Sequence, residues 1–125
     1  MFVPQEVVRE YEVGIQIARV PEGMIERLRI LYLTTEERQY TEGFPARLGT
    51  GERACLAACY FRQGVFASDD RDARIQAQHL KIPVIGTVGI LVLCVRRSYL
   101  ALEETQDLLD RMIAYGYRSP VVQIN

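Results

Sequence analysis

Lysine is almost missing from this 125-residue chain: Lys81 is the single example among 15 cationic side chains, and the rest are arginine. Guanidinium groups favour bidentate contacts to phosphate or carboxylate, although a compositional bias in the coding DNA leaves the same trace and takes the larger share of the explanation. Histidine also occurs once, as His79, and reads as a helix-surface residue rather than a base. The three cysteines, at 55, 59 and 94, are odd in number and sit within apolar helical patterns. That excludes a disulfide framework and points to reduced thiols in a cytoplasmic protein. Zinc is excluded on spacing, because Cys55 and Cys59 lie one helical turn apart while Cys94 and His79 stand at no ligand-like interval from them. A net charge of -1 provides no global attraction to phosphate polymers, so any nucleic-acid contact requires a local basic patch. The longest apolar run, Ile82 to Val95, is broken by Pro83, Gly86 and Gly89, and the N-terminus lacks a signal-peptide pattern; no membrane partner is expected. Repeats and low-complexity tracts are absent, and no Gly-Lys-Ser/Thr follows the glycine turn at 86–89, so a phosphate loop is excluded.

What is present suits one α/β domain spanning residues 1–125, with an apolar fraction of 49% and a length within the ordinary range for a single core. Val3-Pro4 reads as a strand end running into a short helix, Gln5 to Tyr11, since proline is tolerated in a first turn. Ile15, Ile17 and Val20 alternate as in a strand. Met24, Ile25, Leu28, Leu31 and Tyr32 have helical spacing within Pro21 to Leu33. Thr34 to Gly49, polar and interrupted by Pro45, reads as a mobile connection. Thr50 is placed to cap a helix that Gly64 ends. A strand Val65 to Ala67, a helix from about Arg71 to Leu80 and a strand over residues 81–85 form a βαβ unit. Gly86 and Gly89 make a tight turn with close helix–strand packing, a helix runs from Ile90 to about Arg97, and the last helix runs from Leu102 to Tyr115 with Gly116 near its cap. Val121 and Val122 add a tail strand. The tyrosines at 32, 40, 60, 99, 115 and 117 are scattered and read as packing residues rather than a stacking platform.

The region Gly51 to Leu91 places acids at successive helix and strand ends. In open α/β sheets ligands gather at the carboxyl ends of strands, which gives Asp69 and Asp70, after Val65 to Ala67, a functional reading. Each acid also has a purely local explanation. Glu10 reads equally well as a solvated helix residue beside Arg9. Glu52 in a first turn gains roughly 0.3 to 1 kcal/mol from the helix dipole, and an aspartate N-cap is worth about 1 kcal/mol. Arg71 and Arg74, near i and i+3 on one helix, are placed either to touch a phosphate backbone or to pair with Asp70 and Asp72, and ion pairing is favoured.

The order Val3-Pro4-x-x-Val7-x-x-Glu10, then Gly51-Glu52 at a helix start, then Asp69-Asp70-Arg71-x-Ala73-Arg74, then Gly86-Thr87-x-Gly89-x-Leu91 resembles the PIN-domain nucleases, in particular a prokaryotic PIN-like subfamily. The resemblance implies a three-layer α/β/α fold with a short parallel sheet. It further implies a Mg²⁺- or Mn²⁺-dependent endoribonuclease, often the toxin of a toxin–antitoxin pair. Glu10, Glu52 and Asp69 map onto family catalytic and metal-binding carboxylates, with Asp70 as an adjacent metal ligand and Arg71 and Arg74 as nucleic-acid contacts. Implied partners are RNA, an antitoxin-like protein and further copies of the chain. One departure stands out: the family's first, central strand with its aspartate is missing, because Met1 begins directly at the VPxxV segment. A sheet without that strand has two open edges and is expected to pair with a partner chain, to rearrange, or to belong to a longer reading frame. The alternative is a non-catalytic PIN-like remnant that acts as an interaction module.

Overall fold

The computed structural model describes residues 2–16 and 29–124. The fold is a helix-rich α/β arrangement with short parallel strands, as the sequence indicates. In chain order it comprises β1 (Phe2–Pro4), α1 (Gln5–Gln16), β2 (Arg29–Leu31), α2 (Thr35–Thr41), α3 (Thr50–Arg62), β3 (Phe66–Ala67), α4 (Arg71–His79), β4 (Val84–Ile85), α5 (Thr87–Arg96) and α6 (Leu102–Ala114). The described strands form two separate pairs, β1 with β2 and β3 with β4. β1 and β2 run parallel, with Phe2 opposite Arg29 and Pro4 opposite Leu31.

The chain divides into two units, Met1–Phe66 with Asp70–Val84, and Ala67–Asp69 with Ile85–Asn125. The first has a core of Phe44, Leu48, Leu56, Ala57, Phe66, Ala73, Ala77 and Ile82. Alanines at 57, 73 and 77 let helix backbones approach closely, and complete burial of Leu56 contributes about 1.5–3 kcal/mol. Leu33, Ala54 and Ala58 make a second cluster on α3.

Several local expectations are corrected. The helix after Pro4 continues to Gln16, so Ile15 is helical rather than extended; Ile17, Val20 and residues 21–28 lie outside the described residues. Leu31 belongs to β2 and not to a helix. The expected mobile connection contains α2, which starts with a capping box: the Thr34 hydroxyl accepts the Glu37 N–H at 3.1 Å while the Glu37 carboxylate accepts the Thr34 N–H at 2.8 Å. Two otherwise unpaired N–H groups are satisfied reciprocally, which offsets the turn-forming residues around them.

Gly49, not Thr50, is the N-cap of α3, and Gln63 rather than Gly64 closes it in a left-handed conformation at φ 55°. Phe66 N–H donates to Pro83 O at 2.8 Å, linking β3 to β4.

In the second unit α5 begins at Thr87, three residues earlier than its apolar pattern suggests. Gly89 is required there, because a Cβ at 89 would lie 2.8 Å from Ile85 Cγ1. Val121 and Val122 form no strand. The Gln106 side chain holds that tail instead, donating to Val122 O and accepting from Ile124 N–H, each at 2.8 Å.

Candidate metal site on the first unit

Helix α1 projects Glu6 and Glu10 one turn apart, so both point to the same side of the helix. Where α1 meets the start of α3, Glu10 Oε1 accepts the Gly51 N–H at 3.0 Å. The approach is so close that a Cβ on Gly51 would stand 2.8 Å from Glu10 Oε1 and 2.9 Å from Val7 Cγ2. Glycine at 51 is therefore a packing requirement that lets a carboxylate reach a first-turn N–H of α3.

Glu52 reaches back along its own helix, its Oε2 accepting the Gly49 N–H at 3.1 Å. A Cβ on Gly49 would sit 3.8 Å from Glu52 Oε2 and 3.9 Å from Glu10 Oε1, so the two carboxylates flank one glycine. The first turn of α3 supplies free N–H groups and the positive end of the helix dipole, both of which favour negative charge there. Glu10 and Glu52, 42 positions apart in the chain, are thus brought to one place.

Sequence reasoning missed a third acid. Glu6 lines, with Arg9, Glu10 and Thr50, a cleft of about 400 Å³, and its Oε2 is buried without a hydrogen-bond partner. The i, i+4 spacing of Glu6 and Glu10 on α1 was the available signal. Cys55, one turn beyond Glu52, reports the shared field: burial first, then Cys59, then Glu10, Glu6 and Glu52 push its thiol up to about 12. It stays a neutral thiol at physiological pH.

The remaining candidates are placed differently. Asp70 is the N-cap of α4, accepting the Ala73 N–H at 2.9 Å. Asp69 belongs to the second unit, where its Oδ1 accepts the Thr87 N–H at 2.9 Å and its Oδ2 accepts the Thr87 hydroxyl. Arg71 and Arg74 lie in the first two turns of α4. Asp72 pairs with Arg47, at 3.8 Å.

A family model for the PIN domain matches residues 1–124, nearly the whole chain. The chain belongs to the PIN domain family. The family is of nuclease type. No curated protein and no solved structure gives a match.

The PIN residues present suit a hard divalent cation in part. Glu6, Glu10 and Glu52 offer only oxygen donors, and Glu10 and Glu52 each commit one oxygen to a backbone N–H and keep the other. Among the described residues no three acids, histidines or cysteines stand close enough to form a complete cage. A pair of carboxylates supplemented by water is nevertheless the usual environment of Mg²⁺. Among the described residues no helix is long and apolar enough to cross a membrane.

Proposed function

We propose that this PIN domain is a divalent-metal-dependent endoribonuclease whose metal-binding edge is the Glu10–Glu52 pair, with Glu6 as a further acid beside it. The observation that supports the reading most is the convergence of two acids, distant in sequence, on Gly49 at the positive end of α3. Mg²⁺ or Mn²⁺ bound there would supply an activated water and neutralise charge developing on the scissile phosphate.

The protein's own part is orientation. Gly51 N–H fixes one oxygen of Glu10 and Gly49 N–H one oxygen of Glu52, which leaves each carboxylate its second oxygen and little conformational freedom to lose. Asp69 and Asp70 remain the family-derived acids for the same reaction, and Arg71 and Arg74 the contacts to the phosphate backbone. The toxin role in a toxin–antitoxin pair, self-association and a cytoplasmic location belong to the same proposal.

The test is cleavage of single-stranded RNA with Mn²⁺ or Mg²⁺, compared with Glu10→Gln and Glu52→Gln. Metal-dependent cleavage that falls at least about a hundredfold in each variant supports the reading; equal cleavage in wild type and variants contradicts it.

One observation favours the second reading, a non-catalytic interaction module. None of the residues of α5 is buried, although its sequence from Val88 to Val95 is entirely apolar apart from a glycine. A helix apolar on all sides is normally covered on all sides. Absence of RNA cleavage, together with a sedimenting mass above that of one chain, would favour this reading.

A further inference from the structure

A second concavity in the first unit has a different chemistry from the acidic cleft. It measures about 300 Å³ and is lined by Gln39, Tyr40 and Gly43 with Phe44, Gln76 and Leu80. No charged side chain is among them, whereas Glu6, Arg9 and Glu10 line the first cleft. A phosphate or carboxylate therefore gains nothing here, and an uncharged ligand does not lose by entering.

The walls have a definite shape. The Tyr40 and Phe44 rings stand edge to face, with centroids 5.3 Å apart and planes at 83°. Both rings line the concavity, Tyr40 partly exposed and Phe44 8% exposed, so a planar ring entering at this corner would pack mainly on Tyr40 in the offset or edge contacts that aromatic groups favour. Tyr40 is held in place by Tyr60, stacked on it at 4.7 Å with planes 8° apart, and by Phe61, edge-on at 5.3 Å. Tyr40 also packs against the core of the first unit, in keeping with the packing role expected of the tyrosines, and Tyr60 stacks on it.

The polar groups are two primary amides. Gln39 extends from α2 and Gln76 from α4, and neither side-chain amide has a hydrogen-bond partner among the described residues. Each offers adjacent donor and acceptor atoms, the complement of a nucleobase edge such as N6 and N7 of adenine. Gly43 lines the concavity, and a Cβ there would meet only Tyr40 O, at 3.6 Å, so a side chain can be placed at this point without a clash.

We infer that this pocket binds an uncharged nucleobase, stacked in the Tyr40–Phe44 corner and read by the Gln39 and Gln76 amides. The inference rests on the ribonuclease reading for its meaning, since it would make the pocket a base subsite for the RNA substrate.

Adenosine is the probe, titrated against the full chain by equilibrium dialysis, with ribose 5-phosphate as the base-free control. Saturable adenosine binding, with ribose 5-phosphate failing to compete, is expected. Gly43→Leu, which adds a bulky side chain to the lining without a backbone clash, and Gln76→Ala, which removes one amide, should each weaken binding at least about tenfold. Glu10→Gln should leave adenosine affinity unchanged while abolishing RNA cleavage, so failure of the metal site and failure of the base pocket are separately visible. No saturable binding up to roughly 10 mM adenosine, equal competition by ribose 5-phosphate, or wild-type affinity in both pocket variants would overturn the inference.

Discussion

Arg62 grips Glu37 with two parallel hydrogen bonds, Nε to Oε2 and Nη2 to Oε1, both 2.8 Å long. The carboxylate is 2% exposed and also accepts the Thr34 N–H, while the guanidinium continues to Tyr32 O at 3.0 Å. One acid therefore ties the end of α3 to the start of α2 and to the chain just after β2. Arg62→Ala would leave a buried carboxylate without its cation, a loss of about 3 kcal/mol. Urea denaturation of the variant against wild type measures it, and a change under about 0.5 kcal/mol, the range of an exposed substitution, would contradict it.

The same pair sets a pH dependence. The Arg62 hydrogen bonds lower the Glu37 pKa from its ordinary 4.5, against burial, which acts to raise it. A depressed carboxylate stabilises the fold above its unfolded pKa, and that contribution is lost as pH falls through the folded value. The stability gap between wild type and Glu37→Gln should hold constant from neutral pH to about 5 and shrink below 4.5. A gap that widens on acidification would show the sign to be wrong.

Much of this was legible in sequence, and the failures share a cause. The Arg71 and Leu102 helices, and the region where α3 starts, follow from apolar spacing. The capping box at Thr34 was written as Thr-x-x-Glu, yet the polar, Pro-containing stretch around it read as a connection, because local composition outweighed a two-residue signal. Glu10 and Glu52 were legible through the family resemblance, but their meeting at Gly49 depends on the α1–α3 contact, which no local pattern encodes. Glu6 was missed because a single acid in a first turn is ordinary, and burial of its Oε2 is a tertiary property that no local pattern encodes.

Gly51→Ala tests that contact. The added Cβ would fall within 3.1 Å of three atoms of Val7 and Glu10, so α1 must move away from α3 or Glu10 must give up its hydrogen bond. A loss of about 1–3 kcal/mol, typical of overpacking, is expected in thermal or urea unfolding, together with weaker metal binding. An unchanged melting curve would mean that the two helices are looser than described.

Asp70→Ala separates capping from chemistry. Removing the acceptor for the Ala73 N–H should cost about 1 kcal/mol, and Asp70→Ser should recover most of it. If Ser restores stability but not RNA cleavage, Asp70 also serves the reaction; if it restores both, the cap is its whole contribution.

The most direct test of the central claim is calorimetric titration of Mn²⁺ into the wild-type chain and into Glu10→Gln/Glu52→Gln. Saturable heat in the wild type that disappears in the double variant, with the far-UV circular dichroism unchanged, is the expected result. No heat in the wild type up to millimolar Mn²⁺, or the same heat in both proteins, would contradict a metal site built on these two glutamates.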